Sequence, residues 1–141
     1  MKNNIGKYED QLIYFSHGRE NKFYPQLKLK KASIALLPFP DNVLAERMEK
    51  ILIRAGIGTL HRLTEKAFYS DQDNIEENNL LVICLDRFNP RLLRKANEFC
   101  ISHSLPWMIV QAPYSAEGIV GPLFIPEETA CYNCMEKRIK S

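Results

Sequence analysis

Two cysteines three positions apart, Cys131 and Cys134, are the residues of this sequence best suited to chemistry. A tight turn can bring both sulfurs within reach of one ion, so the pair reads as half of a tetrahedral four-thiolate zinc site. No second Cys-x-x-Cys follows it, and the other two ligands are expected from elsewhere. A dimer supplying both pairs would hold one ion per two chains. Two other readings stay open. The cysteines can be plain thiols, or a redox pair, which normally opens a helix after a strand in a thioredoxin-like order near the amino terminus. Here the pair follows the turn Pro126-Glu127-Glu128-Thr129, which fits the knuckle better.

Asp86 is the second candidate. It follows Leu80-Leu81-Val82-Ile83-Cys84-Leu85, the strongest strand pattern in the chain, at the end where α/β folds bind ligands. It is suited to holding magnesium or a ribose, or else to capping a helix or pairing with Arg87 or Arg91. His17, His61 and His103 have no spacing that makes a metal cluster or serves a nucleophile. A nucleotide site would need a glycine-rich turn after the first strand, because glycines let backbone amides approach phosphate. The chain has Pro38-Phe39-Pro40-Asp41-Asn42 there. The prolines remove amide donors and Asp41 puts negative charge where a phosphate would sit, so ATP is not expected as a cofactor.

The elements that must position these residues follow from periodicity. Ser33-Ile34-Ala35-Leu36-Leu37 reads as a strand buried on both faces, ended by Pro38. Val43, Leu44, Met48, Ile51, Leu52 and Ala55 form one helical face, closed by Gly56. Residues 58–63 predict a second strand, and residues 64–79 an irregular connection. Asn89-Pro90 opens a second helix with Leu92, Leu93, Ala96, Phe99 and Cys100 on its apolar side. Residues 107–110 and 119–125 predict a fourth and a fifth strand, the last marked by Pro122 as an edge or bulge. Trp107, Cys84 and Cys100 are expected in the core. Residues 12–15 suggest a short helix before a looser arm. The pattern predicts an α/β sandwich with a largely parallel sheet.

Composition agrees with one globular domain: 141 residues, 45% hydrophobic, net charge +2, pI about 8.3. That charge is too balanced for a nucleic-acid partner. No apolar run reaches the ~20 residues of a membrane span. With no export signal at the start, the thiols are expected in a reducing cytoplasm.

With these motifs in place, the chain resembles the ThiF and MoeB type of the ubiquitin-activating-enzyme-like superfamily. The resemblance runs through Lys7-Tyr8-Glu9-Asp10-Gln11, residues 26–34, Arg54-Ala55-Gly56-Ile57-Gly58 and Asn97-Glu98-Phe99-Cys100. Leu105-Pro106-Trp107 and the stretch from Val120-Gly121-Pro122-Leu123-Phe124-Ile125-Pro126 to Cys131 and Cys134 with Arg138 resemble one branch, the ThiF-like cyclodehydratase component of thiazole/oxazole-modified bacteriocin biosynthesis. The resemblance implies a Rossmann-like three-layer sandwich, degenerate and truncated. Its parts would be an N-terminal helix and arm (1–32), the α/β domain (33–126) and the half knuckle with tail (127–141).

Active members carry an arginine where this chain has Asp10, and an acidic ribose contact that has no counterpart after His61-Arg62-Leu63. The implied role is a non-catalytic accessory subunit that presents a precursor peptide to a YcaO-type, ATP-dependent partner. A homodimer or larger complex is expected. The alternative is an ATP-dependent adenylyltransferase of a ubiquitin-like or sulfur-carrier protein. The resemblance further implies a fragment, a degenerate paralogue or one piece of a split protein.

Overall fold

The computed structural model describes residues 11, 24–40, 43–70, 74–112 and 118–141. The order is α1 (Tyr24–Lys31), β1 (Ser33–Phe39), α2 (Val43–Ala55), β2 (Thr59–Arg62), α3 (Glu65–Ser70), a 3₁₀ turn (Ile75–Glu77), β3 (Leu80–Leu85), α4 (Pro90–Ser102), β4 (Trp107–Gln111), β5 (Ile119–Phe124) and α5 (Tyr132–Lys140). The strands form one sheet in the order β2-β1-β3-β4-β5. The first four are parallel, and β5 runs antiparallel to β4 with a register shift between Met108 and Val110. This is the expected mostly parallel Rossmann-like sandwich.

Alternate residues of the strands feed opposite faces, as the pleat requires. Ile34, Leu36, Val82, Cys84 and Val110 pack with Ala45, Leu44, Met48 and Leu52 of α2. Ala35, Leu37, Leu81, Ile83, Leu85, Trp107 and Ile109 pack with Phe68, Leu92, Leu93, Ala96, Cys100 and Tyr132 on the other face. Cys84 and Cys100 are fully buried, and burial pushes their thiols up to about 11 and about 12. They are small core residues, as the sequence suggests.

Three local expectations need correction. β1 does not stop before Pro38: it continues to Phe39, with Pro38 beside Cys84. The reason is the alternation of backbone groups. The Leu36 carbonyl faces β2, where it accepts from Leu63 N–H, while Phe39 O faces β3 and accepts from Asp86 N–H. Pro38 therefore faces the β2 side just where β2 has ended, so its missing N–H costs no ladder bond. Residues 64–79, expected to be irregular, contain two short helical elements among the described residues. Thr64 Oγ1 accepts from Ala67 N–H and starts α3, whose Phe68 is buried, and the 3₁₀ turn buries Ile75. In α2 the inward stripe is rotated: Val43 and Ile51 are exposed and Ala45 is buried.

Two glycines are required by geometry. Gly56 ends α2 with φ of 89°, the left-handed C-cap conformation. A Cβ on Gly58 would lie 2.0 Å from the Lys30 carbonyl oxygen, because the backbones of α1 and the β2 approach touch there. The 12–15 helix, Asp10, His17, Asp41 and Asn42 lie outside the described residues.

Candidate functional site

Cys131 and Cys134 sit where β5 hands over to α5. The turn between them is closed by Thr129: Ile125 N–H donates to its Oγ1 at 2.9 Å, and Thr129 N–H donates back to Ile125 O at 3.0 Å. Glu127 adopts φ of 69° in this turn. Cys131 is the N-cap of α5, and its carbonyl accepts from Cys134 N–H at 3.1 Å. The α5 start is held to the core by two anchors. Tyr132 packs against Phe124 and Trp107, and Trp107 stacks on Phe124 at 4.5 Å. Tyr132 N–H donates to Asn97 Oδ1 at 2.9 Å, and Asn97 is only 1% exposed. Outside, Arg94 Nε and Nη2 reach Glu136 at 2.9 and 2.7 Å, and Lys140 joins at 2.9 Å. These donors hold the Glu136 carboxyl down to about 2.

The two sulfurs are 3.5 Å apart, Cys134 exposed and Cys131 half-buried. Two thiolates on one tetrahedral zinc would lie ~3.8 Å apart, so a few tenths of an ångström bring this pair to coordination distance. The Cys131 thiol is pulled below its ordinary range, first by the Cys134 amide N–H, with help from the Cys134 thiol, the Asn133 amide and the Asn97 side chain, against partial burial. Stabilised thiolate at an exposed helix start is the donor chemistry zinc requires. Among the described residues no third His, Cys, Asp or Glu joins the pair. The two cysteines thus fit as two ligands of a larger set.

Asp86 lies at the other focus, where β1 and β3 end. It is exposed, and its backbone N–H ties to Phe39 O at 3.2 Å. It caps no helix: Asn89 takes that role, its Oδ1 accepting from Leu92 N–H at 3.0 Å. No ion pair among the described residues involves Asp86. His61 is exposed on β2, and His103 stacks on Phe99 at the end of α4. The structure brings neither to the cysteines. Asn97 is the residue that sequence reasoning overlooked in this role. Its signal was a polar residue inside the apolar stripe of α4, between Ala96 and Cys100, where an unpaired amide would be costly.

Solved structures share this mostly parallel, Rossmann-like α/β fold. The heterocyclase TruD superposes with a TM-score of 0.67 at 20% identity, over 90% of this chain and 16% of that one. A heterocyclase in complex with substrate and cofactor gives 0.60 at 20%, over 82% of this chain and 13% of the other. E. coli MccB with succinimide gives 0.64 at 17%, over 99% of this chain and 55% of that one. The chain thus spans between about an eighth and just over half of these proteins, and at such identities the likeness is one of fold. No protein-family model and no curated protein sequence matches the chain. No helix among the described residues is long and apolar enough to cross a membrane.

Proposed function

We propose that this chain is a non-catalytic ThiF-like scaffold in the biosynthesis of thiazole/oxazole-modified peptides. In this reading it presents a precursor peptide to a YcaO-type partner, which uses ATP to close rings on Cys, Ser or Thr. The observation that carries the reading is the end of β1 and the turn it enters. The first β–α turn of a nucleotide-binding sandwich offers phosphate a row of backbone amides, whereas this one offers Pro38, bulky Phe39 and Pro40. The fold shared with heterocyclases supports the peptide-maturation setting. Cys131 and Cys134 would hold a structural zinc with two further ligands, fixing the start of α5. The working unit in this reading is a cytoplasmic homodimer bound to its partner.

Reconstitution tests the reading. A YcaO-type protein and a Cys/Ser/Thr-rich precursor encoded beside this chain should form rings with ATP only when the chain is added. Mass spectrometry reads the loss of one water per ring. The chain alone should show no heat of ATP-magnesium binding by calorimetry. Micromolar ATP binding, or pyrophosphate exchange that needs a carrier protein's C-terminus, would favour the adenylyltransferase alternative, with Asp86 as its magnesium ligand. Metal analysis should find zinc in the purified chain, and zinc retained after Cys131→Ser with Cys134→Ser removes the thiols from its site.

A further inference from the structure

The charges of this chain are unevenly spread. α1 and α2 carry six Lys and Arg residues against Glu46 and Glu49, a surplus of four in a chain whose net charge is +2. On α2, Val43, Arg47, Lys50 and Arg54 recur at four-, three- and four-residue steps, opposite the Ala45, Met48 and Leu52 side that packs on the sheet. All four are exposed. Ile51 lies on one flank of this stripe and Ile53 on the other, 56% and 54% exposed.

Cations three and four residues apart repel one another along a helix. No ion pair among the described residues involves Arg47, Lys50 or Arg54, and Glu49 of the same helix reaches Arg62 of β2 at 2.9 Å instead. α1 repeats the pattern. Its Tyr24, Leu27, Lys28 and Lys31 are exposed, while buried Gln26 donates from Nε2 to Ala55 O at 3.0 Å, at the end of α2. Two helices joined at that point each turn apolar and basic side chains outward. Exposed apolar side chains grouped with cations mark an interaction surface.

The arrangement selects among acidic partners. A phosphate backbone has nothing to cover the two isoleucines. A helix lying on a lipid surface sinks its apolar stripe and keeps its cations in water. Here the apolar stripe of α2 is spent on the sheet, and cations hold the middle of the outward face. An acidic protein segment with apolar side chains beside its carboxylates matches both features. We infer that the outward face of α2 docks such a segment of a protein partner, with α1 widening the basic surface. Arg47, Lys50 and Arg54 attract and orient the segment, and Val43, Ile51 and Ile53 supply the apolar contact. The inference is independent of peptide presentation and of whether a YcaO-type protein carries the segment.

A labelled synthetic peptide of glutamate and leucine tests it, with binding to the purified full chain read by fluorescence anisotropy. The peptide should bind, more weakly as salt rises, and its glutamine counterpart should bind roughly tenfold more weakly or worse. Arg47→Glu with Lys50→Glu and Arg54→Glu should weaken the glutamate peptide by roughly tenfold or more, and a lysine and leucine peptide should then bind that chain. The milder Arg47→Gln with Lys50→Gln and Arg54→Gln should give an intermediate loss. Ile51→Ser with Ile53→Ser should cost about threefold or more. Lys137→Glu with Arg138→Glu on α5 should change nothing, and bound peptide should slow hydrogen exchange in α2 but not in α5. Circular dichroism and thermal melts serve as folding controls. A wild-type chain that ignores the glutamate peptide overturns the inference. So does an equal loss from the α5 changes, indifference to the isoleucine changes, or tighter binding, lost in the same α2 variants, to anionic phospholipid vesicles or a DNA duplex.

Discussion

Asn97→Ala probes how the thiol site is held. Asn97 is buried, and its Oδ1 accepts the Tyr132 N–H at 2.9 Å. Truncation leaves that amide, at the first turn of α5, without its acceptor in the protein interior. An orphaned buried donor costs about 1–3 kcal/mol. For a domain of this size each kcal/mol moves the midpoint by roughly 3–5 °C, so the melting temperature should fall by about 3–15 °C. The damage should begin locally: Tyr132, Cys134 and Met135 amides should exchange faster in hydrogen-exchange experiments, while β1 and β3 amides keep their order of protection. Zinc affinity should fall as well, because the Cys131 thiol loses a neighbour that favours its thiolate. Asn97→Asp separates the two effects. It keeps an acceptor for Tyr132 but places a carboxylate near Cys131, so it should raise that thiol's pKa, read from the pH dependence of alkylation. An Asn97→Ala chain with unchanged melting temperature and unchanged Tyr132 exchange would refute the anchoring argument.

Alkylation under native conditions at neutral pH should label Cys131 and Cys134 alone, because burial pushes Cys84 and Cys100 up to about 11 and about 12; mass spectrometry after unfolding should then find the other two. Glu136 is held down to about 2, so its contribution to stability is complete above the ordinary carboxylate range near ~4.3 and is lost as pH falls toward 2. Melts between those limits should therefore fall more steeply for the wild-type chain than for Glu136→Gln. Gly58→Ala drives a methyl into the Lys30 carbonyl and should cost about 3 kcal/mol, the upper end of overpacking. A melt indistinguishable from wild type would mean that α1 and the β2 approach can part freely.

The sheet was legible because strand burial leaves a direct mark: Leu80 to Leu85 is continuously apolar, as a parallel strand covered on both faces must be. Asn89-Pro90 marked the start of α4 for the same kind of local reason. What escaped was set by neighbours. Pro38 is tolerated because β2 is short, which no window around Pro38 contains. α3 depends on a threonine cap and one buried phenylalanine, too little periodicity to stand out from polar sequence. At the site, the cysteine spacing announced a turn that can present two sulfurs together. The side chain that fixes it, Asn97, lies 35 residues away on another helix. Such a pairing is visible only once both helices pack on one sheet.

The two faces of the sheet are unequal in a way that bears on how the fold yields. Among the described residues, 17 form the buried cluster under α3, α4 and α5, but only six form the one under α2. Local opening free energy follows buried apolar contact, so α2 should detach as a separate, weaker unit while the rest stays closed. The turn that carries the thiols is anchored through Tyr132 on the firm side. Opening of α2 therefore need not reach the cysteines, and the turn that presents them should stay ordered while that layer loosens.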